Sequence, residues 1–445
     1  MPTATEIIKG ILIMEPSILR WYSIQGRLIL DILHSVFENI FHFFLYIAIF
    51  FTTVYLILSL IVMLSKKKAK ERPFDIKKAP FVTIQIPTRN ELIALRCAEK
   101  CLDFDYPEEK YEILIGDDSD KQEISQKLAE FAEKYEKVRV IKREKNIGFK
   151  PGNLNSMLKH SNGEILVIFD SDFTPEKNFL KRIINPFIND KSISAVQARW
   201  NFNNFNQNLV TILASTIVYV FHHVTLSFLN IFGTGSLCGS AEAIKKKDLI
   251  ELGSWTSGSL TEDIEYTLRL YKNNKKIVYL PTLQCYSDVP FVASDLYKQQ
   301  MRWAYGVITS YKRHIKNIMF NKSLSIKKKI TSFSPGFGYL MPILILLMFV
   351  FGTLSFFTNR PGPIDLVKFF SDLGKNVILT SGLIIASVFA LYKEKKIKHT
   401  LKVLLASFSI GIITTYYVNK GIFKSLLRKP MQWYLLNKDI KYVKN

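Results

Sequence analysis

The chain has 445 residues, enough for one large domain or two to three smaller ones, with 48% hydrophobic residues and a formal net charge of +22. Its apolar residues collect in long uncharged runs, which excludes an ordinary soluble domain. Its basic residues collect beside those runs, which points to a membrane surface and away from nucleic acid as their partner.

Residues 1–35 mix Ile7, Ile8, Ile11, Leu12, Trp21, Leu28 and Ile29 with Lys9, Arg20 and Arg27. The mixture reads as an interfacial segment. Residues 43–64 and 337–357 carry no charge, and each is long enough to cross a ~30 Å hydrocarbon core. Residues 377–392 and 403–418 are shorter, and flanking lysines would have to snorkel for them to span. The first apolar run starts too late for a cleavable signal peptide. Lys66, Lys67, Lys68, Lys70, Arg72, Lys77 and Lys78 follow the first run. Lys312, Arg313, Lys316, Lys322 and Lys327, Lys328 and Lys329 precede the second. The positive-inside rule then predicts an integral protein of the cell membrane, with the polar insert in the cytosol against anionic lipid. Four spans would return the C-terminus to the outside, which conflicts with its basic tail of Lys420, Lys424, Arg428 and Lys429. Either the tail lies outside or one short segment does not cross.

Within the insert, strands are predicted at 82–87, 112–116, 138–142, 165–169, 193–199, 240–245 and 277–280. Helices are predicted at 91–102, 123–135, 152–160 and 262–272. This alternation predicts an α/β fold, a mostly parallel sheet flanked by helices. Residues 209–232 are apolar enough to span. A crossing there would separate Asp172 from Asp263, so a helix against the core or the membrane is expected instead. Residues 295–315 form an amphipathic helix rich in Arg, Lys, Trp and Tyr, suited to an interface. The expected organisation is an N-terminal membrane region (1–80), the insert (81–293), the interface helix with its basic linker (294–332) and a C-terminal membrane region (333–445). Cys97, Cys101, Cys238 and Cys285 have no histidine beside them at zinc-site spacing and should be free thiols.

The chemistry-bearing residues fall at strand ends, where open α/β sheets bind ligands. The run ILVIF (165–169) ends in Asp170-Ser171-Asp172. Two carboxylates so spaced can share one hard cation and hold it against phosphate oxygens. Asp117 and Asp118 follow EILIG, and Thr261-Glu262-Asp263 opens a helix. Taken alone, each is also a reasonable turn or helix-start acid.

Their order is more telling. IPTRNE (86–91), IGDDSD (115–120), NIGFKPGNLN (146–155), VIFDSD (167–172), CGSAEAI (238–244), SLTEDIEYTLRL (259–270) and QQMRW (299–303) together resemble the family-2 glycosyltransferases of GT-A fold. The resemblance is to the membrane-embedded branch holding cellulose, chitin and hyaluronan synthases, and it covers residues 81–303. It implies an inverting, metal-dependent hexosyltransferase that uses a UDP-sugar. Pro87, Thr88, Asn90, Glu91, Asp117, Asp118, Lys150, Asp170, Gln299 and Arg302 would bind the nucleotide-sugar. Asp170 and Asp172 would hold Mg2+ or Mn2+. Asp263, with Glu262 beside it, would be the catalytic base. Cys238, Gly239, Ser240 and Trp303 would bind the acceptor. The acceptor is a growing β-linked polysaccharide or, alternatively, a single lipid, and a homo-oligomer could complete a channel that so few spans leave open. One departure is Asp288 in SDVP, where many members carry Glu.

Overall fold

The computed structural model describes residues 16–65, 73–360 and 365–434. The first fifteen residues, and Lys66, Lys67, Lys68, Lys70 and Arg72 of the basic collar, lie outside the described residues. The chain forms two compact units. One takes the chain up to residue 54 together with 340–382. The other takes 55–339 and the chain from 383 onward.

Helix α1 (Pro16–Leu64) is one continuous helix of 49 residues. The predicted interfacial segment and first span are therefore not separate elements over residues 16–64, and no helix-breaking signal divides them. In the first unit, Phe37 and Phe44 of α1 meet Phe351 at ring centroids of 6.3 and 5.9 Å. His34 Nδ1 lies 2.9 Å from the Ser355 carbonyl.

The second unit is built on a seven-stranded sheet. Its strands are β1 (Val82–Thr88), β2 (Tyr111–Asp117), β3 (Val138–Lys142), β4 (Ile165–Ile168), β5 (Ile193–Phe202), β6 (Glu242–Lys245) and β7 (Lys276–Ser287). The order is β3-β2-β1-β4-β6-β5-β7, with only β6 antiparallel to its neighbours. All six parallel strands therefore end on one edge, and the turn leading into β6 lies on that same edge. Alternation within the strands explains why they read as continuous apolar runs. Ile165, Val167 and Phe169 enter one core with α2 (Ile93–Leu102) and α5 (Phe179–Asn189). Leu166 and Ile168 enter the opposite core with α4 (Phe149–His160) and α8 (Glu262–Lys272). Strand β7 continues well past the predicted 277–280, through Pro281, because an edge strand tolerates a proline that a central one would not.

The apolar stretch α6 (Leu209–Ile231) is interrupted by a π-helical turn at Phe221–Leu226. Ile212, Tyr219, Val224, Leu226 and Leu229 on it are buried in this unit, in line with a core helix. Helix α9 (Ala293–Phe320), expected at a membrane interface, packs against α8 and α15 (Ile410–Leu426). Leu296, Met301, Ala304 and Val307 are buried there, so protein rather than lipid covers this face. Glycines permit the close approach: a Cβ on Gly306 would fall 2.6 Å from the Thr261 side chain, and one on Gly421 would strike the Met301 backbone.

Among the described residues, three helices are long and apolar enough to cross a membrane, or up to five if each bent pair counts as one span. Segment 337–357 becomes α11 (Leu340–Thr358). Segment 377–392 is divided between α12 (Leu366–Leu379) and α13 (Gly382–Lys393), and 403–418 between α14 (Thr400–Phe408) and α15, which meet at 54°.

Candidate active site

The edge where the parallel strands end collects the predicted residues. After β1, Asn90 adopts φ +57°, and its N–H donates to Ser119 Oγ at 2.8 Å. Its Oδ1 accepts the Asp120 and Lys121 N–H groups at 3.0 and 3.2 Å. Thr88 Oγ1 donates to the Glu91 carbonyl at 3.1 Å, and Ser171 donates to the Glu91 carboxylate. The loop from Pro87 to Glu91 is thus tied both to the acidic loop after β2 and to the one after β4.

Asp118 is buried and receives Arg143, with Nε 2.6 Å from Oδ1. Asp117 accepts the Ser119 N–H at 2.8 Å, and Lys142 Nζ lies 3.1 Å from its Oδ2. Burial works to raise the Asp117 carboxyl, but hydrogen bonds from Ser119, Ser125 and Lys142 outweigh it and hold it below its ordinary value. Asp117 is therefore an ionised acceptor at neutral pH.

The centre of the site is Lys150. It sits in the first turn of α4, after Gly148 (φ +80°). Pro151 is tolerated there because the first-turn N–H groups have no helical partner anyway. A cation is misplaced at a helix N-terminus, so something local must hold it. Its Nζ lies 2.7 Å from Asp170 Oδ1 and 2.9 Å from Glu262 Oε1, and donates to the Gly239 carbonyl at 2.6 Å. Burial opposes its charge, yet the two carboxylates prevail and keep the ammonium above its ordinary range.

Glu262, Asp263 and Glu265 all lie in the first turn of α8, where the helix dipole favours acids. Asp263 is partly exposed. Burial first, and then the Glu262 charge, push it up to about 7, against the pull of Lys150. A Cβ built on Gly239 would sit 3.6 Å from Asp263 Oδ2 and 3.5 Å from Lys150 Nζ, so glycine leaves this space open between acid and cation. Glu265 points away from the site. It accepts Arg269 at 2.8 Å and lies 2.7 Å from His314 Nε2, fastening α8 to α9.

Arg302 donates to the Leu260 carbonyl at 2.8 Å. Trp303, one residue on, turns toward a different cluster with Phe202, Phe205 and Leu296. Gln299 is half-exposed on the same helix. Ser240, expected on the acceptor side, accepts the Asp170 N–H through its Oγ at 2.8 Å. The Cys238 N–H donates to Gln197 Oε1 at 2.8 Å.

Sequence reasoning missed Trp433. It lies in the basic tail, outside any periodic pattern, and its indole packs 4.2 Å from the Arg302 guanidinium carbon and 6.1 Å from the Phe149 ring. This contact places the chain at residue 433 beside Arg302 of α9 and the start of α4. Trp433→Ala should lower kcat/KM by about fivefold to tenfold through loss of a desolvated cation–π contact, read by steady-state kinetics; an unchanged value would show the contact to be idle.

A divalent ion fits the donor set. Asp170 and Asp172 flank one strand end, with the Asp170 side chain 34% exposed and Asp172 buried. Among the described residues, no group of three or more His, Cys, Asp or Glu forms a cage. Two carboxylates completed by substrate phosphates is how Mg2+-type ions are commonly bound.

Sheet order and loop chemistry define a GT-A-type domain. Residues 79–306 match the family described as "Glycosyltransferase like family 2", and the chain belongs to that family. It is 30% identical over 267 residues to glucomannan 4-beta-mannosyltransferase 2 of Arabidopsis thaliana, covering 56% of this chain and 49% of that protein. To probable glucomannan 4-beta-mannosyltransferase 14 of the same plant it is 31% identical over 265 residues, with coverages of 56% and 49%. The chain thus spans about half the length of these relatives. A mannosyltransferase of Pyrobaculum calidifontis, PcManGT, solved with GDP-Man and Mn2+, shares the fold at a TM-score of 0.63 and 16% identity, covering 88% of this chain and all of that one.

Proposed function

We propose that this family-2 enzyme is a membrane-embedded inverting hexosyltransferase that extends a β-linked polysaccharide from a nucleoside-diphosphate sugar. The observation that carries the reading is Lys150 held between Asp170 and Glu262, with Asp263 across Gly239. Lys150 would bind the diphosphate, assisted by the N-terminus of α4. Arg302 can fork onto the same oxygens. Asp263 would take the proton of the acceptor hydroxyl as its oxygen attacks the anomeric carbon from the face opposite the leaving group. The transition state is oxocarbenium-like, as in glycoside hydrolysis. Asp170 and Asp172 would hold Mg2+ or Mn2+, which when bound supplies charge neutralisation on the departing diphosphate.

The carboxylate oxygens of Asp117 and Asp118 suit base N–H or ribose hydroxyl donors. A uracil ring and a guanine both offer such donors. The mannosyl names of the relatives move our preferred donor from a UDP-sugar to GDP-mannose. The basic segments beside the spans support a cytosolic catalytic domain. Purified protein supplied with GDP-mannose, GDP-glucose and UDP-sugars, followed by product sizing, should yield a ladder of oligosaccharides. A single glycolipid product would replace the polymer with a lipid acceptor, and no transfer from any donor would overturn the reading.

A further inference from the structure

Glu242 is a buried carboxylate that the catalytic scheme leaves unused. It opens β6, the one antiparallel strand, where it pairs with Ile168 of β4 and Gln197 of β5. Cross-strand partners present their side chains on the same face, so Glu242 and Gln197 both reach back to the turn before β6. That turn is strained: Gly239 has φ +87° and Ala241 φ +50°, the latter costly for a residue with a Cβ. Glu242 Oε2 accepts the Gly239 N–H at 2.9 Å and lies 3.3 Å from the Cys238 nitrogen. Gln197 Oε1 accepts the Cys238 N–H, and its amide donates to the Ser240 carbonyl at 2.9 Å.

The other side of the turn faces the phosphate-binding candidates. The Gly239 carbonyl accepts Lys150 at 2.6 Å, and Ser240 Oγ accepts the Asp170 N–H at 2.8 Å. We propose that Glu242 is a positioning residue: by fixing the Gly239 peptide from behind, it sets where Lys150 stands relative to Asp170, and so tunes affinity for the nucleotide-sugar. What the turn requires is an acceptor oxygen at the right reach. Burial, and then the nearby Asp263 charge, push Glu242 up to about 8, so it is mostly neutral at pH 7 and an amide oxygen can replace it.

The inference rests on the reading of Lys150 as a diphosphate ligand. Two near-isosteric variants of the full-length protein test it, through donor KM, kcat and melting temperature at pH 7. Glu242→Gln keeps the acceptor oxygen in place, and its donor KM should stay within about threefold of wild type. Glu242→Asp keeps the acid but withdraws the oxygen by one methylene; donor KM should rise about tenfold, with kcat changed less than about threefold. An unchanged KM in Glu242→Asp would overturn the proposal. So would an equal rise in both variants, or a fall in kcat and melting temperature without a KM effect. Unaltered donor KM in Lys150→Met would instead refute the underlying reading, so the two failures are distinct.

Discussion

Asp263→Asn is expected to bind the donor nucleotide normally while losing transfer by about a thousandfold, the scale of a general base's contribution. The isosteric amide keeps the hydrogen-bonding shape of the first turn of α8 but cannot accept the acceptor's proton. The wild-type enzyme should show an acid limb. A base pushed up to about 7 is mostly protonated at pH 6, so kcat/KM should climb through pH 7 and level off above it. Stability should move the other way. A carboxyl whose folded value lies above its unfolded value of 3.8 stabilises the fold fully below that value, and this contribution is lost as pH rises through about 7. Asp263→Asn should therefore melt no lower than wild type at pH 5 and higher than wild type at pH 8. Retained turnover, or a rate profile flat between pH 6 and 8, would remove Asp263 from the role of base.

The sheet was largely legible because buried parallel strands leave a plain record: 165–169 is apolar throughout since both its faces are covered. Asp118, Lys150, Asp170 and Asp263 were legible because each follows a strand or opens a helix. What escaped notice depends on contacts distant in sequence. Trp433 meets Arg302 across the fold, and a single tryptophan in a basic tail carries no period to announce it. Glu242 is an acid inside a short central strand, and a strand pattern alone cannot say that its carboxylate caps a turn. The partners of α9 were hidden for a related reason. Its apolar stripe is real, but α8 and α15 fill it, and amphipathicity does not reveal which partner covers the face. The bends in 377–392 and 403–418 fall at Thr380-Ser381-Gly382 and at Ser409, close to Gly411, break signals that an uncharged run makes easy to pass over.

Lys150→Met should be the most damaging change on the donor side. The ammonium is mostly buried, meets Asp170 and Glu262 within 3 Å, and donates to the Gly239 carbonyl. Losing one partner of a buried, hydrogen-bonded ion pair costs about 3 kcal/mol, roughly a hundredfold in donor KM. Part of that loss comes from the carboxylates left behind: with no cation between them, Asp170 and Glu262 would repel both each other and an incoming diphosphate. A second effect separates Lys150 from a merely structural lysine. Its charge lowers the Asp263 carboxyl, so its removal should carry the acid limb of the rate profile above pH 7. In wild type, Lys150 is held above its ordinary value of 10.5; it stays charged throughout the neutral range, and its stabilising contribution is complete below pH 10.5 and lost only as pH rises through the higher folded value. Steady-state kinetics from pH 6 to 9 measures both effects at once. A donor KM near wild type with the limb unmoved would mean that Lys150 faces neither the phosphates nor the base.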